Sequence, residues 1–150
     1  MLNLNLPPCE IKIKKTEKGL RIFDSLRAKF VALTPEEWVR QNFVCYLINH
    51  KQYPPMLIAN EMQIKVNSRI KRCDSVVYDN RMNPLVILEY KAPDVSITEQ
   101  VFDQIVRYNY VLKVPYLIVS NGLRHYCCQV DYENQTTTYL QDIPVYGELV

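Results

Sequence analysis

Glycine is scarce in this sequence, with three residues in 150, and histidine scarcer still, with two. Gly19, Gly122 and Gly147 are too scattered to build a phosphate-cradling loop, which needs glycines clustered at fixed offsets. His50 and His125 have no Ser, Cys or His partner at a telling spacing, so both read as bystanders. No C-x-x-C pair or His spacing suggests zinc. Cys9, Cys45 and Cys73 are isolated, while Cys127 and Cys128 are adjacent and point to opposite strand faces. The five thiols are therefore expected to be reduced, as in a cytoplasmic protein. No apolar run approaches the roughly 20 residues of a membrane span. Met1 to Pro8 has neither the basic start nor the apolar run of a secretory signal. A cytoplasmic chain with no membrane partner is the expectation. Repeats and low-complexity tracts are absent as well.

What is present is enough for one domain. The chain is 48% hydrophobic and 23% charged, so residues 1–150 are expected to form a single unit with a real core. The net charge of +2 is small, but residues 1–30 carry seven Lys or Arg against three acids and hold +4, leaving −2 for the remainder. That segment reads as a basic arm or hairpin around Glu17-Lys18-Gly19. A second basic cluster contains Lys65, Arg69, Lys71 and Arg72. Arg69, Lys71 and Arg72 are candidate nucleic-acid contacts, since phosphate binding needs only a local patch. Solvated strand edges, where lysine is common, are the competing explanation.

The chemistry concentrates in residues 70–91. Ile70 to Tyr78 and Leu85 to Lys91 are rich in β-branched and aromatic residues, and the intervening Asp79-Asn-Arg-Met-Asn-Pro84 is turn chemistry. A four-residue loop at 80–83 would pair Asp79 with Pro84 and, counting back, Asp74 with Glu89. Glu89 and Lys91 then share a face, and Asp74 lies on it too. Facing carboxylates repel by roughly 0.2–1 kcal/mol. Glu89 also follows an apolar run suited to burial on both sides. A hard divalent cation would explain both costs: Mg²⁺ takes one or two protein carboxylates beside phosphate and water. Lys91 could steady a phosphate or help activate water.

Asp74, fourteen intervening residues, and Glu89-Tyr90-Lys91 resemble the signature of the PD-(D/E)XK nuclease superfamily. A downstream Gln104-x-x-x-Tyr108 adds to the likeness, and Leu33-Thr-Pro-Glu-Glu-Trp-Val-Arg-Gln41 resembles the start of the N-terminal nuclease domain of type I restriction enzyme R subunits. The likeness runs from about Ile22 to Tyr126; those subunits continue into motor domains that are not in this sequence. It implies a Mg²⁺- or Mn²⁺-dependent endonuclease acting on DNA, with Asp74, Glu89 and the Tyr90 carbonyl holding metal and Lys91 catalytic. Gln104 would orient Lys91, a water at the metal or the nucleic acid, with Tyr108 in support. Its competing role is a buried amide bonded to the backbone. Motor and specificity subunits of a restriction complex would be partners.

The flanking segments supply a frame. Thr34-Pro-Glu-Glu37 opens a helix to about Asn49, with Thr34 as N-cap and Glu37 completing a capping box. Glu36 is either an acid near the metal or a first-turn acid favoured by the helix dipole. Residues 56–66 read as a strand, and Glu61 at its start is a further possible ligand. Ser96-Ile-Thr-Glu99 reads as a second capping box, opening a helix to about Leu112 with Val101, Gln104, Ile105, Tyr108 and Leu112 on one face. Val114 to Ser120, Leu123 to Val130 and Gln135 to Gln141 read as strands, with Asn121-Gly122 as a turn. The order fits an α/β sandwich with a mixed sheet, an antiparallel meander followed by a crossover helix and further strands, with two main helices flanking it; the resemblance implies the same, a restriction-endonuclease-like mixed sheet. Three functions follow: a metal-dependent nuclease, a nucleic-acid-binding module without turnover on its own, and a structural domain that kept the fold.

Overall fold

A computed structural model describes residues 2–150. An antiparallel three-stranded sheet comes first: β1 (Ile13–Thr16), β2 (Gly19–Asp24) and β3 (Lys29–Ala32). The helix α1 (Pro35–His50) follows, then β4 (Ile58–Val66), β5 (Arg69–Tyr78) and β6 (Pro84–Tyr90). The helix α2 (Glu99–Asn109) leads to β7 (Tyr116–Ser120), β8 (His125–Asp131) and β9 (Thr136–Leu140). These last six strands form one sheet in sequence order. β4–β5–β6 is the expected antiparallel meander, and β7 joins β6 in parallel through the α2 crossover. The third arm strand, β3, was not legible in the sequence.

Helices cover both faces of the large sheet. Val39, Phe43 and Leu47 of α1 pack on Val77, Val86, Leu88, Ile118 and Cys127. Phe102 and Ile105 of α2 pack on Val76, Ile87, Leu117, Val119 and Cys128 on the other side. Each such side chain stabilises the fold by roughly 1.5–3 kcal/mol when fully buried. Central strands covered on both faces must be apolar at successive positions. β7 is buried at all five of its residues.

Four local expectations need correction. Pro84 pairs with Tyr78 rather than Asp79, because a bulge lies between Val77 and Tyr78. Asp79 is drawn into the turn: its Oδ1 accepts the N–H groups of Arg81 and Asn83 at 2.8 and 2.9 Å. The N-cap of α2 is Thr98, whose hydroxyl accepts the Val101 N–H, so Ser96 makes no capping box. Glu37 does not reach back to cap α1 either, although Thr34 accepts its N–H. Finally, Cys9 and Cys45 form a disulfide; Cys73, Cys127 and Cys128 are free and buried. Sequence spacing could not pair cysteines 36 positions apart.

That disulfide ties down an N-terminal strap. Trp38 Nε1 donates to the Leu2 carbonyl at 3.0 Å, and the Asn5 N–H donates to the Gly122 carbonyl at 2.8 Å. His125 Nε2 lies 2.8 Å from the Asn5 carbonyl, and its Nδ1 meets the Ser120 hydroxyl at 2.7 Å. Gly122 sits at φ +84°, a backbone conformation that favours glycine.

A buried polar network fixes α1 to the meander. Arg40 is 6% exposed. Its Nε and Nη2 bond both oxygens of Glu37, Nη2 also reaches Glu61 at 2.8 Å, and Nη1 donates to the Asp74 carbonyl at 2.8 Å. Burial alone would raise the Glu37 carboxyl; the hydrogen bonds from Arg40 and Gln41 and the charges of Arg40 and Arg27 outweigh it and hold it below its ordinary value. A second chain runs from fully buried Asp24 through Asn60 and Ser75 to the Tyr90 hydroxyl.

Reduction with dithiothreitol, or Cys9→Ser, is expected to destabilise the protein by about 2–4 kcal/mol, since the bridge closes a long loop. Urea melts with and without reductant test this; coincident midpoints would show that the bridge contributes nothing. Arg40→Met should cost about 3 kcal/mol or more at pH 7, because it strips buried carboxylates of their partner. A carboxylate held below its ordinary value stabilises the fold above the unfolded pKa, and that contribution disappears as pH falls through the folded one. The deficit of Arg40→Met should therefore shrink below about pH 4.5. A deficit that does not change with pH would reduce Arg40 to a packing role.

Candidate functional site

Two carboxylates emerge where β5 and β6 part. Their ladder is last in register at Ser75–Leu88, so Asp74 and Glu89 are next across, as the hairpin count anticipates. Beyond that pair the Tyr90 N–H donates to Asp74 Oδ2 at 2.9 Å. A side chain thus replaces a main-chain rung, which leaves one Asp74 oxygen committed and the other open. Asp74 is held from behind as well, through its carbonyl on Arg40.

Burial raises both carboxyls above their ordinary values. For Asp74 the Tyr90 N–H and the Arg40 charge oppose this effect; for Glu89 the charge of Lys91 opposes it and that of Asp74 adds to it. Lys91 Nζ stands 3.7 Å from Glu89 Oε1, with both side chains about one-third exposed (34% and 30%). The Lys91 N–H donates to the Ser120 carbonyl of β7, which fixes the strand end that carries this pair. Two half-buried acids, both held above their ordinary pKa by burial and with a cation beside them, offer hard-oxygen donors. Among the described residues no group of three or more His, Cys, Asp or Glu side chains could hold a metal. A metal here would rely on Asp74, Glu89 and main-chain oxygen such as the Tyr90 carbonyl.

Asp74 opens into a cleft of about 290 Å³ lined by Val31, Ala32, Glu36, Arg40, Glu61 and Tyr90, among others. Glu36 is exposed on its rim, so the structure brings that candidate to Asp74. Glu61 is there too, but its carboxylate is occupied by Arg40 and, at 2.7 Å, by Arg72. Glu61 takes φ +57° in mid-strand, and the β4–β5 register skips it, pairing Asn60 with Ser75 and Met62 with Cys73. A left-handed residue outside glycine costs on the order of 1–3 kcal/mol and persists only where its surroundings demand it. Here both arginines converge on its side chain.

Gln104 is exposed, in a surface concavity with Thr98, Glu99, Gln100, Asp103 and Arg107. It does not interrupt a buried stripe, because Phe102 and Ile105 set the buried face of α2. Tyr108 is 63% exposed, with Lys71 Nζ lying 3.1 Å from its ring centroid. Glu89 and Lys71 sense each other's charge, although Lys71 makes no ion pair with it. Of the three basic candidates, Arg72 is bound to Glu61 and Arg69 is exposed. Sequence reading passed over Arg40 as a site residue. Its one signal was a helical position from which it could face the sheet.

No curated protein matches this chain. A solved fragment assigned to the HsdR subunit of a type I restriction enzyme from Vibrio vulnificus YJ016 has the same fold, with a TM-score of 0.51 at 20% identity. The match covers 79% of this chain and 25% of that one, so the chain spans about a quarter of the length of its structural relative. The family model described as the type I restriction enzyme R protein N terminus matches residues 35–144, from the first turn of α1 past the end of β9, and the chain belongs to that family.

Proposed function

We propose that the chain is a Mg²⁺- or Mn²⁺-dependent nuclease module that hydrolyses DNA phosphodiester bonds within a type I restriction system. The observation that carries this reading is the Asp74–Glu89 pair on parting strands, half-buried, mutually repelling and flanked by Lys91. A bound divalent cation would supply Lewis-acid polarisation of the phosphate and lower the pKa of attacking water. Asp74, Glu89 and the Tyr90 carbonyl would hold it, and Arg40 keeps the Asp74 backbone from drifting. Lys91 presents its ammonium to the face where charge develops on the phosphate oxygens, an interaction that strengthens in the transition state. Glu36 on the rim offers a carboxylate for proton exchange with solvent. Lys71, whose charge reaches Glu89, offers a phosphate contact, and exposed Arg69 at the start of β5 offers another.

A second reading is nucleic-acid binding without turnover in isolation, with motor and specificity subunits completing the enzyme. Gln104 is exposed and lines a separate surface concavity on α2, while Asp74 lines the cleft, which favours this reading.

Purified protein should nick or degrade plasmid DNA with Mg²⁺ or Mn²⁺ and not with EDTA, and Lys91→Ala should lower the rate by about 100-fold or more. Cleavage that survives EDTA, or a fully active Lys91→Ala protein, would discard the mechanism. Asp74→Asn tests the site without turnover. The amide keeps an oxygen for the Tyr90 N–H and removes the repulsion, so the variant should melt at or above wild type in EDTA. In Mn²⁺ at about a hundred times its Kd, wild type should gain about 2.7 kcal/mol and the variant little. An equal loss in both buffers would make Asp74 purely structural.

A further inference from the structure

The matched family span begins at residue 35, so the whole three-stranded sheet lies outside it. The two faces of this sheet differ sharply. Ile22 and Asp24 of β2 are fully buried, and Asp24 bonds Asn60 of β4, so that face is turned to the body of the protein. Strand alternation puts Lys14, Arg21, Phe23 and Phe30 on the opposite face: Lys14 pairs with Arg21, Arg21 with Ala32, and Phe23 with Phe30. Lys12 joins them, its carbonyl accepting the Phe23 N–H.

This outer face combines cations with aromatic rings. Phe23 and Phe30 meet edge to face at 5.2 Å. Lys12 Nζ lies 5.8 Å from the Phe23 centroid, and Lys14 Nζ lies 4.1 Å from that of Phe30. Lys12 and Lys14 are exposed, Arg21 is half-exposed, and among the described residues none of the three has a carboxylate partner. Lys14, Lys18, Arg21 and Phe30 also line an open groove, with Glu17 as its acid. A fold gains little from two half-buried phenylalanines on an outer face ringed by unneutralised cations. A polyanion with flat apolar bases complements both features, whereas a duplex offers only its phosphates.

We propose that the outer face of β1–β3 binds single-stranded nucleic acid, its phosphates on Lys12, Lys14 and Arg21 and a base against Phe23 and Phe30. The face leads to the carboxylates: Ala32, in register with Arg21, also lines the cleft that holds Asp74. A strand lying across the small sheet reaches the nuclease site at its β3 edge. The inference thus extends the nuclease reading by naming the form of the strand presented to it, while the binding itself needs no turnover.

Fluorescence anisotropy with labelled oligodeoxythymidine and oligouridine of about fifteen nucleotides, in EDTA, tests it on the full chain. Binding is expected, and the tighter of the two oligomers identifies the natural strand. The triple variant Lys12→Gln, Lys14→Gln, Arg21→Gln should weaken it by about tenfold or more and flatten the log–log salt slope by about 2. Phe30→Leu, checked for an unchanged melt, should weaken binding by about fivefold or more with the slope intact. Unchanged affinity in the triple variant, no effect of Phe30→Leu, or a duplex bound as tightly as the single strand would each overturn the proposal. Because EDTA removes cleavage from the assay, loss of the nuclease reading would leave oligomer binding in place, and loss of oligomer binding would leave metal-dependent cleavage to stand alone.

Discussion

Everything around the carboxylate cleft depends on the guanidinium of Arg40. One buried cation touches the first turn of α1 through Glu37, the irregular middle of β4 through Glu61, and the backbone of β5 at Asp74. Bringing an arginine this deep costs several kcal/mol unless its donors are met. Here two carboxylates and a carbonyl meet them with the planar, forked geometry that lysine lacks. The arrangement couples a helix to two strands at a single point, so their relative placement is set more tightly than apolar packing alone would set it. It also explains the left-handed Glu61, whose backbone bends away from the ladder while its side chain spans Arg40 and Arg72.

Beside this network sits a carboxylate pair of the opposite kind. Glu37 and Asp24 are held below their ordinary pKa because hydrogen bonds and cations outweigh burial; Asp74 and Glu89 are pushed above theirs because burial wins. The contrast separates carboxylates that serve the fold from carboxylates that weaken it. Perturbed carboxylates of the second kind are the ones that mark a candidate functional site.

The N-terminal part makes a third layer of organisation. The strap is fastened by the Cys9–Cys45 bridge and by His125, and the small sheet is keyed to the body by Asp24 and by the bonds from Arg27 to Asp24 and Glu37. Its inner face therefore has a structural purpose, which leaves its cationic outer face to be explained otherwise.

Local pattern fixed much of this protein. Both helices, the meander, the crossover and the Asp74–Glu89 register follow from periodicity, capping and strand alternation, because these are short-range properties of the chain. What failed also failed for a stated reason. The exact cap of α2, the bulge at Val77/Tyr78 and the exposure of Gln104 depend on which of several similar options packs best, and Phe102 rather than Gln104 decides how α2 turns. The sequence alone marked Asp74, Glu89 and Lys91 as a set, since all three lie within one hairpin. Only the tertiary structure could join Cys9 to Cys45, Arg40 to Asp74, or Asp24 to Asn60. Those partners are 34 to 36 residues apart, and contacts at that separation are chosen by the packing of whole elements, not by any pattern within one.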